Sequence, residues 1–109
     1  MINNIPESDV LKGCLEFLQL CHIYCWRNNN GSYRKGKSYI RYGMVGSSDI
    51  LGILPNGQFL AVECKRGKGG KLSEEQILFL DNINRNGGVG ICVNSVEALE
   101  EKLRPYLKK

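Results

Sequence analysis

The chain is expected to form an α/β fold, a mixed sheet of about four strands flanked by helices in the order α-β-β-β-α-β-α. Three observations carry this reading. Apolar residues recur at three- and four-residue spacing over Glu7–Leu20, two strand-like runs flank Pro55-Asn56-Gly57, and a capped helical segment from Ser73 leads into the short apolar run Val89–Val93. With 109 residues there is room for one core, read as a single domain over residues 1–109, and for one site.

Taken in order, Val10, Leu11, Cys14, Leu15, Leu18 and Cys21 form a helical stripe after Pro6, with Ser8 as the expected cap and Glu16 off the stripe. Ile23–Arg27 is aromatic and branched, which favours a strand. The polar stretch Asn28–Lys37 is expected to be a long turn or mobile loop. Ile50–Leu54 and Gln58–Lys65 should pair antiparallel, because Asn56 and Gly57 tolerate the positive φ of a tight turn. A glycine-rich basic loop, Arg66–Leu72, follows. Ser73-Glu74-Glu75-Gln76 is a capping box, and Gly87-Gly88 ends the helix that it starts. Val89–Val93 should be a short buried strand, and Ser95–Arg104 a last helix stopped by Pro105.

Composition narrows the function classes. No apolar run is long enough to span a bilayer, and Met1–Asp9 lacks the basic start and apolar stretch of a signal peptide, so an intracellular protein without a membrane partner is expected. Five cysteines without a disulfide-framework spacing fit a reduced compartment, and Cys21, His22 and Cys25 fall short of a four-ligand zinc pattern. The net charge is only +4, but no acid lies between Glu16 and Asp49. That stretch interleaves Arg27, Arg34, Lys35, Lys37 and Arg41 with Tyr24, Trp26, Tyr33, Tyr39 and Tyr42, which suits phosphate neutralisation with stacking. A solvated loop whose aromatics cover the core accounts for it equally well.

The chemistry concentrates around the hairpin. Side chains alternate along a strand, so Glu63 and Lys65 share a face that Val62 and Cys64 do not. Antiparallel pairing then brings Asp49, at the start of the partner strand, beside the end of this one. Two carboxylates at one sheet end suit Mg²⁺ or Mn²⁺, which bind phosphate oxygens and acidify water, with Lys65 to orient the water or steady the phosphate charge. The backbone carbonyl of Cys64 can reach a metal there as well. The plainer alternative is a Glu63–Lys65 surface ion pair with Asp49 capping a turn.

Ser48-Asp49-Ile50-Leu51-Gly52, Ala61-Val62-Glu63-Cys64-Lys65, Gly70-Lys71-Leu72-Ser73-Glu74-Glu75-Gln76 and Gly87-Gly88 occur in that order. Together they closely resemble the virus-type replication-repair nuclease (VRR-NUC) domain, a branch of the PD-(D/E)xK nuclease superfamily. The resemblance implies a restriction-endonuclease-like core, with Asp49 and Glu63 as metal-binding carboxylates and Lys65 as the catalytic lysine. It implies that Glu16 joins the site or a second metal, and that Gln76 turns to the site rather than serving its cap. Ser48 stands where the superfamily pattern has proline. Arg66, Lys68 and Lys71, with Arg34, Lys35, Lys37 and Arg41, are the candidate nucleic-acid contacts.

The expected function is a Mg²⁺- or Mn²⁺-dependent endonuclease of DNA, selective for branched or four-way structures. It would act as a homodimer in phage replication, recombination or repair, within the cytoplasm of a bacterial host. The alternatives are a catalytically idle nucleic-acid-binding module of the same fold and a sequence-specific restriction-type enzyme, the latter disfavoured by the small room for a base-reading element.

Overall fold

The strand Phe59–Cys64 is buried at every position but its first, and the rest of the fold is arranged on its two faces. The computed structural model describes residues 4–107, so the first three residues of the Met1–Asp9 segment lie outside it. The elements run α1 (Glu7–Leu20), β1 (Tyr24–Arg27), β2 (Gly31–Lys35), β3 (Ser38–Tyr42), β4 (Ile50–Ile53), β5 (Phe59–Cys64), α2 (Glu74–Arg85), β6 (Val89–Val93) and α3 (Val96–Leu107). A four-stranded sheet has the order β1-β4-β5-β6, and β2 and β3 form a separate two-stranded ribbon. β1, β4 and β5 pair antiparallel, while β6 runs parallel to β5 after the crossover through α2. The expected α/β class and four-stranded mixed sheet are therefore present.

Alternation along β5 divides the layers. Leu60, Val62 and Cys64 join Ile50 and the helical stripes Val10, Cys14, Leu18 (α1) and Leu99, Leu103 (α3) in one core. Ala61 and Glu63 face the other way, toward α2, whose buried anchor is Leu80. At about 25 cal/mol per Å² of apolar surface, each fully buried leucine of this core contributes roughly 1.5–3 kcal/mol against the entropy of ordering the chain. Among the described residues no helix is long and apolar enough to cross a membrane.

Three local expectations are corrected. Helix α1 starts at Glu7 with Pro6 at the cap position and no side-chain cap, so Ser8 lies inside the first turn. The Pro6 carbonyl accepts from the Asp9 and Val10 amides instead, and Glu7 and Asp9 favour the positive end of the helix. Helix α3, capped by a Ser95 Oγ bond from the Ala98 amide, passes through Pro105 to Leu107. Proline there removes one hydrogen bond in the last turn, and the packing of Tyr106 and Leu107 against the core offsets the loss. The segment Asn28–Lys37 is no simple loop: Gly31–Lys35 pairs with Ser38–Tyr42 about a turn at Gly36 and Lys37. All ten strand residues of that ribbon are exposed, and so they lack the polar-apolar alternation that marks a strand in sequence.

Candidate active site

The β4–β5 hairpin builds the site. Ile50 pairs with Val62, so one step further Asp49 stands beside Glu63 just where the ladder ends. Beyond the last backbone pair, Asp49 continues the ladder with its side chain: Oδ2 accepts the Cys64 amide at 2.8 Å. The Lys65 amide donates to Val93 on the β6 side, so Cys64 turns its own N–H and C=O to the Asp49 side. The loop before Asp49 is tied down by Asn28, which donates to Ser47 Oγ at 2.7 Å and to the Ser48 carbonyl at 3.0 Å. Gly46 is required there. Its φ is +84°, and a Cβ would sit 2.6 Å from the Glu75 carbonyl oxygen at the start of α2.

Glu63 is 2% exposed, and its carboxylate meets two partners of different character through one oxygen. Gln76 Nε2 donates to Oε2 at 2.9 Å, and Lys65 Nζ lies 3.6 Å from the same oxygen. Oε1 has no hydrogen-bond partner. Burial first, then repulsion from Asp49, pushes the Glu63 carboxyl from 4.5 up to about 8 against the opposing pull of Lys65. When both are ionised neither Glu63 nor Asp49 can donate to the other, and a proton or a cation between them satisfies the buried oxygen.

That fault is a physical test of the metal reading, and the donor set passes it. Among the described residues no three His, Cys, Asp or Glu side chains converge, which excludes a cage made of side chains alone. Mg²⁺ and Mn²⁺ do not need one, since one or two carboxylates with backbone, water and phosphate oxygens suffice. Asp49, Glu63 and the Cys64 carbonyl are the groups that would hold such an ion.

Gln76 resolves the competition between its two readings by serving both. Its Oε1 accepts from the Ser73 amide at 2.9 Å, completing the capping box, and from Lys65 Nζ at 3.0 Å. Its Nε2 is meanwhile spent on Glu63. An amide carries a two-lone-pair acceptor and a separate donor, so one side chain can pin the helix start, the lysine and the carboxylate at once. The expectation that the site contact excludes the cap is thereby corrected.

The structure does not bring Glu16 to this cluster. Glu16 is exposed and borders a groove with Gln19 and Leu20 that contains none of the site residues. The acid of α1 on the site's side is Glu7, which adds a minor upward push to the Glu63 carboxyl and lines with Asp49 and Arg27 a cavity of about 450 Å³. Nine residues separate the two glutamates, about 180° around the helix and roughly 14 Å along it, so they cannot serve one site. The signal for Glu7 was its place in the first turn, at the end of α1 that the chain topology turns toward β5.

The basic residues divide. Arg66 folds back on its own loop, donating to the Lys68 and Gly69 carbonyls at 2.8 and 2.9 Å, whereas Lys68 and Lys71 are exposed. Lys65, Arg66 and Lys102 line a second cavity, of about 410 Å³, and Lys102 carries no motif that would have marked it in sequence. Arg34, Lys35, Lys37 and Arg41 all lie on the exposed β2–β3 ribbon, and among the described residues none forms an ion pair with Asp49 or Glu63. The cysteines are free, with Cys14 and Cys64 fully buried.

The sequence profile described as VRR-NUC domain matches residues 18–97. No curated protein sequence matches the chain. A solved structure described as a VRR_NUC domain superposes with a TM-score of 0.66 over 94% of this chain and 97% of the other at 22% identity, a likeness of fold. The profile match covers most of the chain, Asp49, Glu63, Lys65 and Gln76 included, and so the chain belongs to the VRR-NUC family of nuclease-type domains.

Proposed function

We propose that this VRR-NUC domain is a Mg²⁺- or Mn²⁺-dependent endonuclease that hydrolyses DNA phosphodiester bonds, acting on branched or four-way DNA in phage replication, recombination or repair. The observation that carries the catalytic part is the unsatisfied Glu63 oxygen beside Asp49, with Lys65 held on the same face. When bound, the cation supplies charge neutralisation at the scissile phosphate and eases deprotonation of the attacking water. Asp49 and Glu63, with the Cys64 carbonyl, would hold it. Lys65, steered by Gln76, holds the water or the phosphate oxygen in line, at a charge that Glu63 tempers. Water oxygen bonds to phosphorus, the bond to the leaving sugar oxygen breaks, and that oxygen takes up a proton.

One such site cuts one strand, and symmetric incision of a junction needs two copies related by a two-fold axis. An open apolar sheet face supports the homodimer. Tyr24 (72% exposed), Trp26 (40%), Ile53 (43%) and Phe59 (37%) adjoin through the β1–β4–β5 register on the α2 side. Helix α2 packs on β5 and β6, leaving this half of the face without a helix. Such clustered apolar exposure marks an interface more often than a monomer surface.

The test is cleavage of duplex, single-stranded, flap and four-way substrates with Mg²⁺, Mn²⁺ or EDTA, comparing wild type with Asp49→Ala and Lys65→Ala. Metal-dependent cutting, preferring branched DNA and lost in both variants, is the expected result. Cutting that persists unchanged in both removes the assignment, and a monodisperse monomer by light scattering removes the dimer.

A further inference from the structure

The β2–β3 ribbon stands apart from the rest of the fold. Its strands pack substantially only on each other, although an isolated two-stranded ribbon is marginal in water. The two ladder faces differ in chemistry. Ser32 pairs with Arg41 and Arg34 with Tyr39 on one face, while Tyr33 pairs with Ile40 and Gly31 with Tyr42 on the other. On the first, the Arg34 guanidinium lies 5.0 Å from the Tyr39 ring centroid and donates to its hydroxyl, which tethers the cation to this face. Among the described residues no acid pairs with Arg34, Lys35, Lys37 or Arg41.

The ribbon is nevertheless registered to the active site. At its root Asn30 donates to the Ser47 carbonyl at 3.1 Å and to Ser47 Oγ at 2.8 Å, and Asn28 binds the same hydroxyl. These bonds lock the ribbon to the loop that ends in Asp49. A cavity of about 250 Å³ at the root is lined by Ser32 and Arg41 of the cationic face and by Val45 and Gly46 of that loop. The root of the cationic face therefore adjoins the loop that ends in Asp49.

We infer that the β2–β3 ribbon is a duplex-DNA-binding arm whose Ser32, Arg34, Tyr39 and Arg41 face, with Lys35 and Lys37 at the tip, grips the DNA flanking the cut. Charge selects the occupant: four unpaired cations on a narrow ribbon match a polyphosphate, and a two-stranded ribbon has the width of a DNA major groove. Reach sets the distance. Five strand residues at about 3.4 Å each carry the tip roughly 17 Å from the root, about five base pairs along the duplex. This rests on the nuclease reading and adds to it a requirement for duplex on the arm side of the scissile phosphate.

The ends of the arm meet, since a Cβ on Gly43 would lie 2.5 Å from Asn30 Cβ, and residues 31–42 can be replaced by two glycines without moving the root. Binding to a 20-base-pair duplex is measured by fluorescence anisotropy in EDTA across a salt series for wild type, the excised variant, Arg34→Ala/Arg41→Ala and the opposite-face Tyr33→Ser/Ile40→Ser. Excision is expected to weaken binding about 10- to 100-fold and to lower the log–log salt slope by about 2–4. The arginine pair is expected to reproduce much of both effects and the opposite-face pair neither. In Mg²⁺, wild-type cleavage is expected to fall when the flanking duplex is cut below about five base pairs, a dependence absent in the excised variant. An excised variant that keeps the helical circular dichroism signal and binds with unchanged affinity and slope overturns the inference. So does excision that only converts dimer to monomer, which makes the arm a protein interface. A wild type that neither binds nor cuts DNA overturns the nuclease reading itself.

Discussion

Stripping divalent metal and raising the pH from about 5 to about 9 is expected to destabilise this protein through one residue, Glu63. Its carboxyl is held at about 8 against an ordinary 4.5, first by burial and second by Asp49. In the unfolded chain it titrates near the ordinary value, so between those limits the folded state keeps a proton that the unfolded state has lost. Stability then falls as pH rises. The contribution is fully present below about 4.5 and gone above about 8, at about 1.4 kcal/mol per pH unit and on the order of 4–5 kcal/mol in all. A cation between the carboxylates replaces the proton, so saturating Mg²⁺ should flatten the dependence. Glu63→Gln has the shape and charge of the protonated acid and should lack this contribution at every pH, with or without Mg²⁺. Denaturant unfolding at several pH values, in EDTA and in Mg²⁺, measures the difference between wild type and variant, in which the other titrating groups cancel. Parallel stability–pH curves for the two proteins would refute the placement of a buried, cation-seeking carboxylate at Glu63.

The two roles of Gln76 separate in a pair of variants. Ser73→Ala should cost about 1 kcal/mol of stability with cleavage retained, whereas Gln76→Ala should cost a similar amount and also lower kcat at least about tenfold by freeing Lys65. Glu7→Gln should weaken apparent Mg²⁺ affinity, raising the metal concentration for half-maximal cleavage, while Glu16→Gln leaves it unchanged; a metal titration of activity decides. Gly46→Ala should lower thermal stability and activity together, because both its positive φ and the Glu75 backbone oppose a Cβ. Ser48→Ala should raise stability by roughly 1 kcal/mol in unfolding experiments, since the buried Ser48 Oγ has no hydrogen-bond partner.

Much of this was legible in the sequence because it is local. The helix over Glu7–Leu20 follows from apolar spacing, and the Ser73 cap from four consecutive residues. The hairpin about Asn56-Gly57 makes a non-local result look local: once two strands pair across a tight turn, the position of Asp49 beside Glu63 follows from counting. The β2–β3 ribbon was hidden because strand periodicity records burial on one side, and this ribbon has none. Pro105 misled because a proline penalty is a local term that packing of Tyr106 and Leu107 can outweigh.

Residue period and turn chemistry are enough to specify the α/β class, the hairpin, and the pairing of Glu63 with Lys65 on one face. Which glutamate of α1 approaches the site is settled by packing, because it depends on where the helix axis crosses the sheet. Packing also decides that Gln76 reaches Ser73, Lys65 and Glu63 together, since the α2 start must first be seated against the end of β5. The electrostatics of Glu63 belong to the same class. A carboxylate acquires a pKa near 8 through the water it has lost and the charge it faces, and neither exists until the core has closed around it.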